Sequence, residues 1–170
     1  MEWSVLLDDT RRTDELIDKD VMVMVMEAAP VVRAEELADA GATVEWVPGF
    51  NLPFLMFNCE KPPFDDVRVR QALSYAVDKQ QIMDMIADGH GAAIGSSMYP
   101  AFGKYFVPEL TDYYTQNIEK AKELLTEAGY PNGFDMTITV PSNYQPHMDT
   151  AQVLVEQLKA IGVNATIQPV

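Results

Sequence analysis

Between Phe134 and Gln168 the spacing of apolar side chains changes period twice, and no other feature of this sequence restricts its fold so strongly. Phe134, Met136, Ile138 and Val140 alternate with Asp135, Thr137 and Thr139, the period of a strand with one buried face. Ala151, Leu154, Val155, Leu158 and Ile161 then recur at helical spacing, Gly162 ends that helix, and Val163 to Gln168 alternate again. Strand, helix, strand in that order is a βαβ unit, with a right-handed crossover expected. The fold class is therefore read as α/β.

The segments before this unit carry their own start and stop signals. Asp65-Asp66 opens a helix with Val69, Ala72, Leu73, Ala76 and Val77 on one stripe, and Arg68 and Arg70 project away from it. Asp78, with Gln81 three residues on, starts a second helix whose buried face is expected from Ile82, Met85 and Ile86, up to a stop at Gly89. Asn117 caps a third, which carries Ile118, Ala121, Leu124, Leu125 and Ala128 and ends at Gly129, with Pro131 beyond. Further upstream, Asp8 to Asp20 reads as part helix, Val21 to Met26 as a strand buried on both faces, Arg33 to Ala40 as helix, and Thr43 to Val47 as strand before Pro48-Gly49. Phe54 to Phe57 reads as a short buried strand that Pro62-Pro63 keeps from extending. Residues 89 to 116, rich in Gly, Pro and aromatics, read as a long functional or packed loop.

Charge excludes whole classes of partner. Twenty-six acidic against twelve basic residues give a net charge of -14, the wrong sign for nucleic acid or anionic lipid. The longest apolar run, Val21 to Met26, falls far short of the roughly 20 residues that cross a bilayer, so a soluble chain is expected. The start has no cationic segment or cleavage site, so the chain is either cytoplasmic or has lost its targeting signal. Cys59, the single cysteine, cannot form an internal disulfide and is expected as a small core hydrophobe.

No catalytic or cofactor signature survives inspection. Gly89-His90-Gly91-Ala92-Ala93-Ile94-Gly95 misses the spacing of a phosphate loop and follows a helix rather than a strand. His90 and His147 lack the neighbours that a metal site needs, and Met22, Met24 and Met26 read as core packing rather than a copper site. Ser74, Ser96 and Ser97 sit in no nucleophile elbow, and Asp65, Asp66 and Asp78 are accounted for as caps. The sequon Asn164-Ala165-Thr166 lies within a predicted strand, where it reads as chance. The expectation is a protein that is not an enzyme, with no cofactor and no metal.

Three ordered blocks carry a family resemblance. Phe57-Asn58 followed by Pro62-Pro63-Phe64-Asp65-Asp66-Val67-Arg68-Val69-Arg70-Gln71-Ala72-Leu73-Ser74-Tyr75-Ala76-Val77-Asp78-Lys79 resembles the signature of the family 5 extracytoplasmic solute-binding proteins, the oligopeptide, dipeptide and nickel receptors of ABC importers. The likeness continues through Ala121 to Phe134 and through Gln157 to Asn164. Upstream, Glu15 to Val23 is similar to the family's segment before the chain crosses between lobes, with Lys19 where a Gly is usual.

The resemblance implies a periplasmic-binding-protein-like lobe of type II. Residues 1–49 would be the end of a first lobe and the approach to the crossover, and residues 50–170 most of the second lobe, truncated at its C-terminal side. It implies extracytoplasmic capture of peptides or similar small solutes, an ABC-importer permease as partner, and self-association through lobe surface left exposed. The family's later segment bearing tryptophan and aspartate, which anchors a peptide amino group, has no counterpart here. Phe54 and Met56 match ligand-proximal positions of the crossover strand, and Ser142, Asn143 and His147 match cleft-facing positions in the loop after the Phe134 to Val140 strand. Physical reasoning favours the second group too, because ligands of open α/β sheets collect outside the carboxyl ends of strands, and Asn143, Tyr144 and His147 there are able to hydrogen-bond a peptide backbone. Against it stands an ordinary solvated turn with Asn143 and Pro146 as turn formers. The alternative for the whole chain is an accessory or protein-interaction domain, derived from such a receptor, that binds no solute.

Overall fold

The computed structural model describes residues 14, 16–18, 31–45 and 53–170 of the chain. In chain order the elements are α1 (Val31–Asp39), α2 (Val67–Ala76), α3 (Lys79–Ala87), 3-10 segments Pro100–Tyr105 and Pro108–Leu110, α4 (Ile118–Glu127), β1 (Asp135–Val140), α5 (Gln145–Lys159) and β2 (Asn164–Pro169). The predicted βαβ unit is present. β1 and β2 pair in parallel, in register from Asp135 opposite Asn164 to Val140 opposite Pro169, with α5 as the connection.

Period-two alternation sets the two sheet faces apart. Ile138 and Val140 are buried with Ala151 and Leu154 of α5, while Asp135, Thr137 and Thr139 stay exposed. A second cluster joins Val69, Ala72, Leu73 and Ala76 of α2 to Ala121, Leu124 and Leu125 of α4, and to Leu158, Ile161 and Val163. Each fully buried Leu or Val here is worth about 1.5–3 kcal/mol over leaving it exposed. The chain returns tightly at the amino ends of the strands. Gly133, at φ 76°, lies so close to Gly162 that a Cβ there would sit 2.0 Å from the Gly162 carbonyl oxygen.

Three of the expected caps are present, whereas Asp65 caps no helix and its carboxylate accepts from Asp66 N–H at 3.1 Å. The carboxylates of Asp66 and Asp78 and the amide oxygen of Asn117 accept from the backbone N–H of Arg68, Gln81 and Lys120. The carbonyl ends are tied to other elements. Asn117 N–H donates to the Tyr75 carbonyl at 2.8 Å, and Arg68 reaches the Glu127 carbonyl at the end of α4 at 2.7 Å. Arg70 likewise donates to the Phe64 carbonyl at 2.6 Å, so the two arginines that project from the α2 stripe clamp neighbouring chain ends.

Several expectations need correction. Phe54 to Phe57 is extended but forms no ladder, and it is not buried throughout: Leu55 and Phe57 turn inward while Phe54 and Met56 are exposed. An unbroken apolar run does not say which side faces water, and here only one side has a partner. Thr43 to Glu45 form no strand, and Trp46 and Val47 lie outside the described residues. Met85 is exposed rather than buried, because α3 meets the body along one flank only and has no buried residue. Asp88, not Gly89 alone, takes the left-handed turn that ends α3. Cys59 is exposed, since the turn after Phe57 carries it off the core.

Of the stretch Asp8 to Asp20, Asp14, Leu16 and Ile17 are helical, and the residues 8–13, 15, 19 and 20 lie outside the described set. The predicted strand Val21 to Met26 and the expected division at residues 49 and 50 also lie outside it. Among the described residues no helix is long and apolar enough to cross a membrane.

Candidate ligand-binding site

The carboxyl ends of β1 and β2 are laced together before the chain turns into α5. Val170 N–H donates to the Val140 carbonyl at 2.9 Å, and the backbone N–H and hydroxyl of Ser142 both donate to the Val170 carbonyl at 2.9 Å. Asn143 stands exposed at the tip of this turn. Tyr144 is the extended N-cap residue of α5, which begins at Gln145 and carries Pro146 in its first turn. Proline suits that position because the first helical amides lack intrahelical partners.

His147 therefore sits in the first turn of a helix rather than in the loop expected for it. Its ring meets the Tyr144 ring edge-on, centroids 4.5 Å apart and planes at 68°. Around this corner, Gln145 donates to the Asp149 carboxylate at 2.7 Å, and the Thr150 hydroxyl donates to the Pro146 carbonyl at 2.7 Å.

The crossover residues form a second group. Leu55 packs into the cluster that holds Ile138, Val140 and Met148, which brings the segment alongside the same sheet. Phe57 stacks on Phe64 at 5.4 Å, and Phe64 in turn meets Phe134 edge-on at 6.0 Å. With Leu55 and Phe57 anchored, Phe54 and Met56 point outward at 69% and 80% exposure. The structure thus brings Ser142, Asn143 and His147 to one corner and sets Phe54 and Met56 on a separate segment. Among the described residues no hydrogen bond or ring contact joins the two groups.

What this arrangement offers chemically is recognition. The corner presents an amide, an imidazole, a phenol and the lone pairs of a hydroxyl whose proton is already committed; the segment presents an aromatic ring and a thioether. Among the described residues no group of three His, Cys, Asp or Glu could hold a metal ion. Asp66 is held well below the usual carboxylate range, at about 2, first by the side-chain hydrogen bond from Arg68 and then by the Arg68 backbone N–H. The same bond raises the Arg68 guanidinium. Both serve the joint between α2 and α4 rather than this corner. From sequence Tyr144 counts only among the groups able to hydrogen-bond a peptide backbone, although an aromatic three residues before a histidine, with proline between, marks both a helix start and a shared helix side.

A parallel βαβ unit whose strand ends open onto such a corner is the architecture of a periplasmic-binding-protein lobe. Residues 1–170 match the family described as bacterial extracellular solute-binding proteins, family 5 Middle, and the chain belongs to that family. It is 32% identical to the dipeptide-binding protein of Escherichia coli (strain K12) across 97% of this chain and 31% of that protein. It is 48% identical to heme-binding protein A of Haemophilus influenzae over 87 residues, 51% of this chain and 16% of that protein. Among solved structures, HbpA2 from Haemophilus parasuis superposes with a TM-score of 0.72 at 31% identity, over 99% of this chain and 33% of that one. The chain thus spans less than a third of the length of these relatives.

Proposed function

We propose that this chain forms part of a substrate-binding protein of an ABC importer, one that captures peptides or similar small solutes outside the cytoplasm and hands them to a membrane permease. It performs no chemistry on them. The observation that carries this reading is the corner at the carboxyl end of β1, where Asn143 and His147 stand beside the laced strand ends of a family 5 lobe. Residues 1–49 are proposed to form the end of the first lobe and the approach to the crossover, and residues 50–170 most of the second lobe, with capture by lobe closure.

In this reading Asn143 and His147 hydrogen-bond the backbone of the solute, Ser142 accepts from it, and Phe54 and Met56 receive an apolar side chain. Isothermal titration of the full-length protein with a dipeptide series, and with heme in parallel, tests it. Loss of one hydrogen bond of about 0.5–1.5 kcal/mol should weaken binding roughly 2- to 10-fold in Asn143→Ala and in His147→Ala. Unchanged affinity in both variants would remove the proposed corner contacts.

A further inference from the structure

We infer that Tyr144 is a positioning residue of this site: its ring holds the His147 imidazole in one orientation at the start of α5 before a ligand arrives. The inference rests on the reading of His147 as a ligand-facing residue. Tyr144 occupies the N-cap position of α5 with φ −131° and ψ 96° and makes no side-chain cap bond, so its side chain is not spent on the helix amides. The backbone sets the spacing of the two residues. The N–H groups of His147 and Met148 reach the Tyr144 carbonyl at 3.2 and 3.4 Å, closing the first turn. Between them Pro146, with a locked φ and no N–H, stiffens the link.

The two rings are both half-buried, and their 4.5 Å, 68° arrangement is edge-to-face. In that geometry the positive edge of one ring meets the negative face of the other, which selects one ring orientation over others. The polar groups next to this turn are engaged with one another, Gln145 with Asp149 and Thr150 with the Pro146 carbonyl. A side chain already ordered loses less rotamer freedom when ligand binds, so the pair lowers the entropic cost of capture.

The test uses the full-length protein, first ligand-free and then titrated with a dipeptide. In the ligand-free protein, the His147 ring-proton resonances should be displaced by the Tyr144 ring current in wild type and in Tyr144→Phe. In Tyr144→Ala they should return to the position of a solvated histidine, with His147→Ala providing the assignment. In titrations, Tyr144→Ala and His147→Ala should each weaken binding about three- to tenfold, and the double variant no further than the worse single one. Tyr144→Phe, which keeps the ring, should weaken binding less than Tyr144→Ala. Undisplaced His147 resonances in wild type, no change of them in Tyr144→Ala, or additive losses in the double variant would overturn the inference. If instead the resonances move as expected while His147→Ala binds normally, the ring contact stands and the ligand-facing reading of His147 falls.

Discussion

Gly133 and Gly129 both hold positive φ, 76° and 93°, yet a methyl group at each would meet different surroundings. At Gly129 nothing lies within 4 Å, whereas at Gly133 the Gly162 carbonyl oxygen is 2.0 Å away. Gly129→Ala should therefore cost only the left-handed backbone, about 1–2 kcal/mol. Gly133→Ala should cost clearly more in urea unfolding, because the amino ends of β1 and β2 must move apart; equal losses would show that the close approach is unimportant. Asp66 offers a second test. Its carboxyl is held at about 2 instead of 3.8, so its contribution is fully present above 3.8 and is lost as pH falls toward about 2. Asp66→Asn keeps a cap but cannot titrate, so wild type should lose thermal stability more steeply than the variant across that window. Parallel curves would show that the Arg68 contact carries no linkage. The cap roles of Asp66, Asp78 and Asn117 were legible in the sequence because a cap is local. The exposure of Cys59 and Met85 was not, because it depends on what packs opposite.

At the scale of elements, α3 has no buried residue, and Gln157 of α5 ties its start to the body alongside the packing of Ile82. Gln157, 9% exposed, accepts from Asp78 N–H at 3.1 Å and donates to the Asp78 carbonyl at 3.2 Å and the Gln81 side chain at 2.7 Å. Gln157→Leu fills similar space but removes the partner of the Asp78 N–H, while the Asp78 carbonyl keeps the Ile82 N–H, which should cost about 1–3 kcal/mol. Amide exchange at Asp78 should quicken in that variant; an unaltered rate would mean that the junction holds without the clamp. The periods of β1, α5 and β2 were readable because each element buries one face. Phe54 to Phe57 departs from the short buried strand its composition suggests because four consecutive apolar residues carry no period. The start of α5 at Gln145 moved His147 from loop to helix, and Pro146 was the sequence signal that marked it.

At the scale of the molecule, the chain covers under a third of the curated relatives it matches, and under the proposed function it supplies one wall of the cleft. Residues 1–170 alone should thus show no high-affinity dipeptide binding by calorimetry, and full-strength binding would contradict two-sided capture. The family was legible through the resemblance of three ordered blocks, and the α/β class and the βαβ order through caps, period and turn glycines, which act over a few residues. The carboxyl-end position of the corner could be anticipated, since it follows from strand direction. Only the tertiary structure decided that Ser142 spends its hydroxyl proton on Val170, and that Leu55 rather than Phe54 or Met56 packs inward. Those outcomes depend on which surfaces meet across dozens of residues of chain, and no local spacing encodes that.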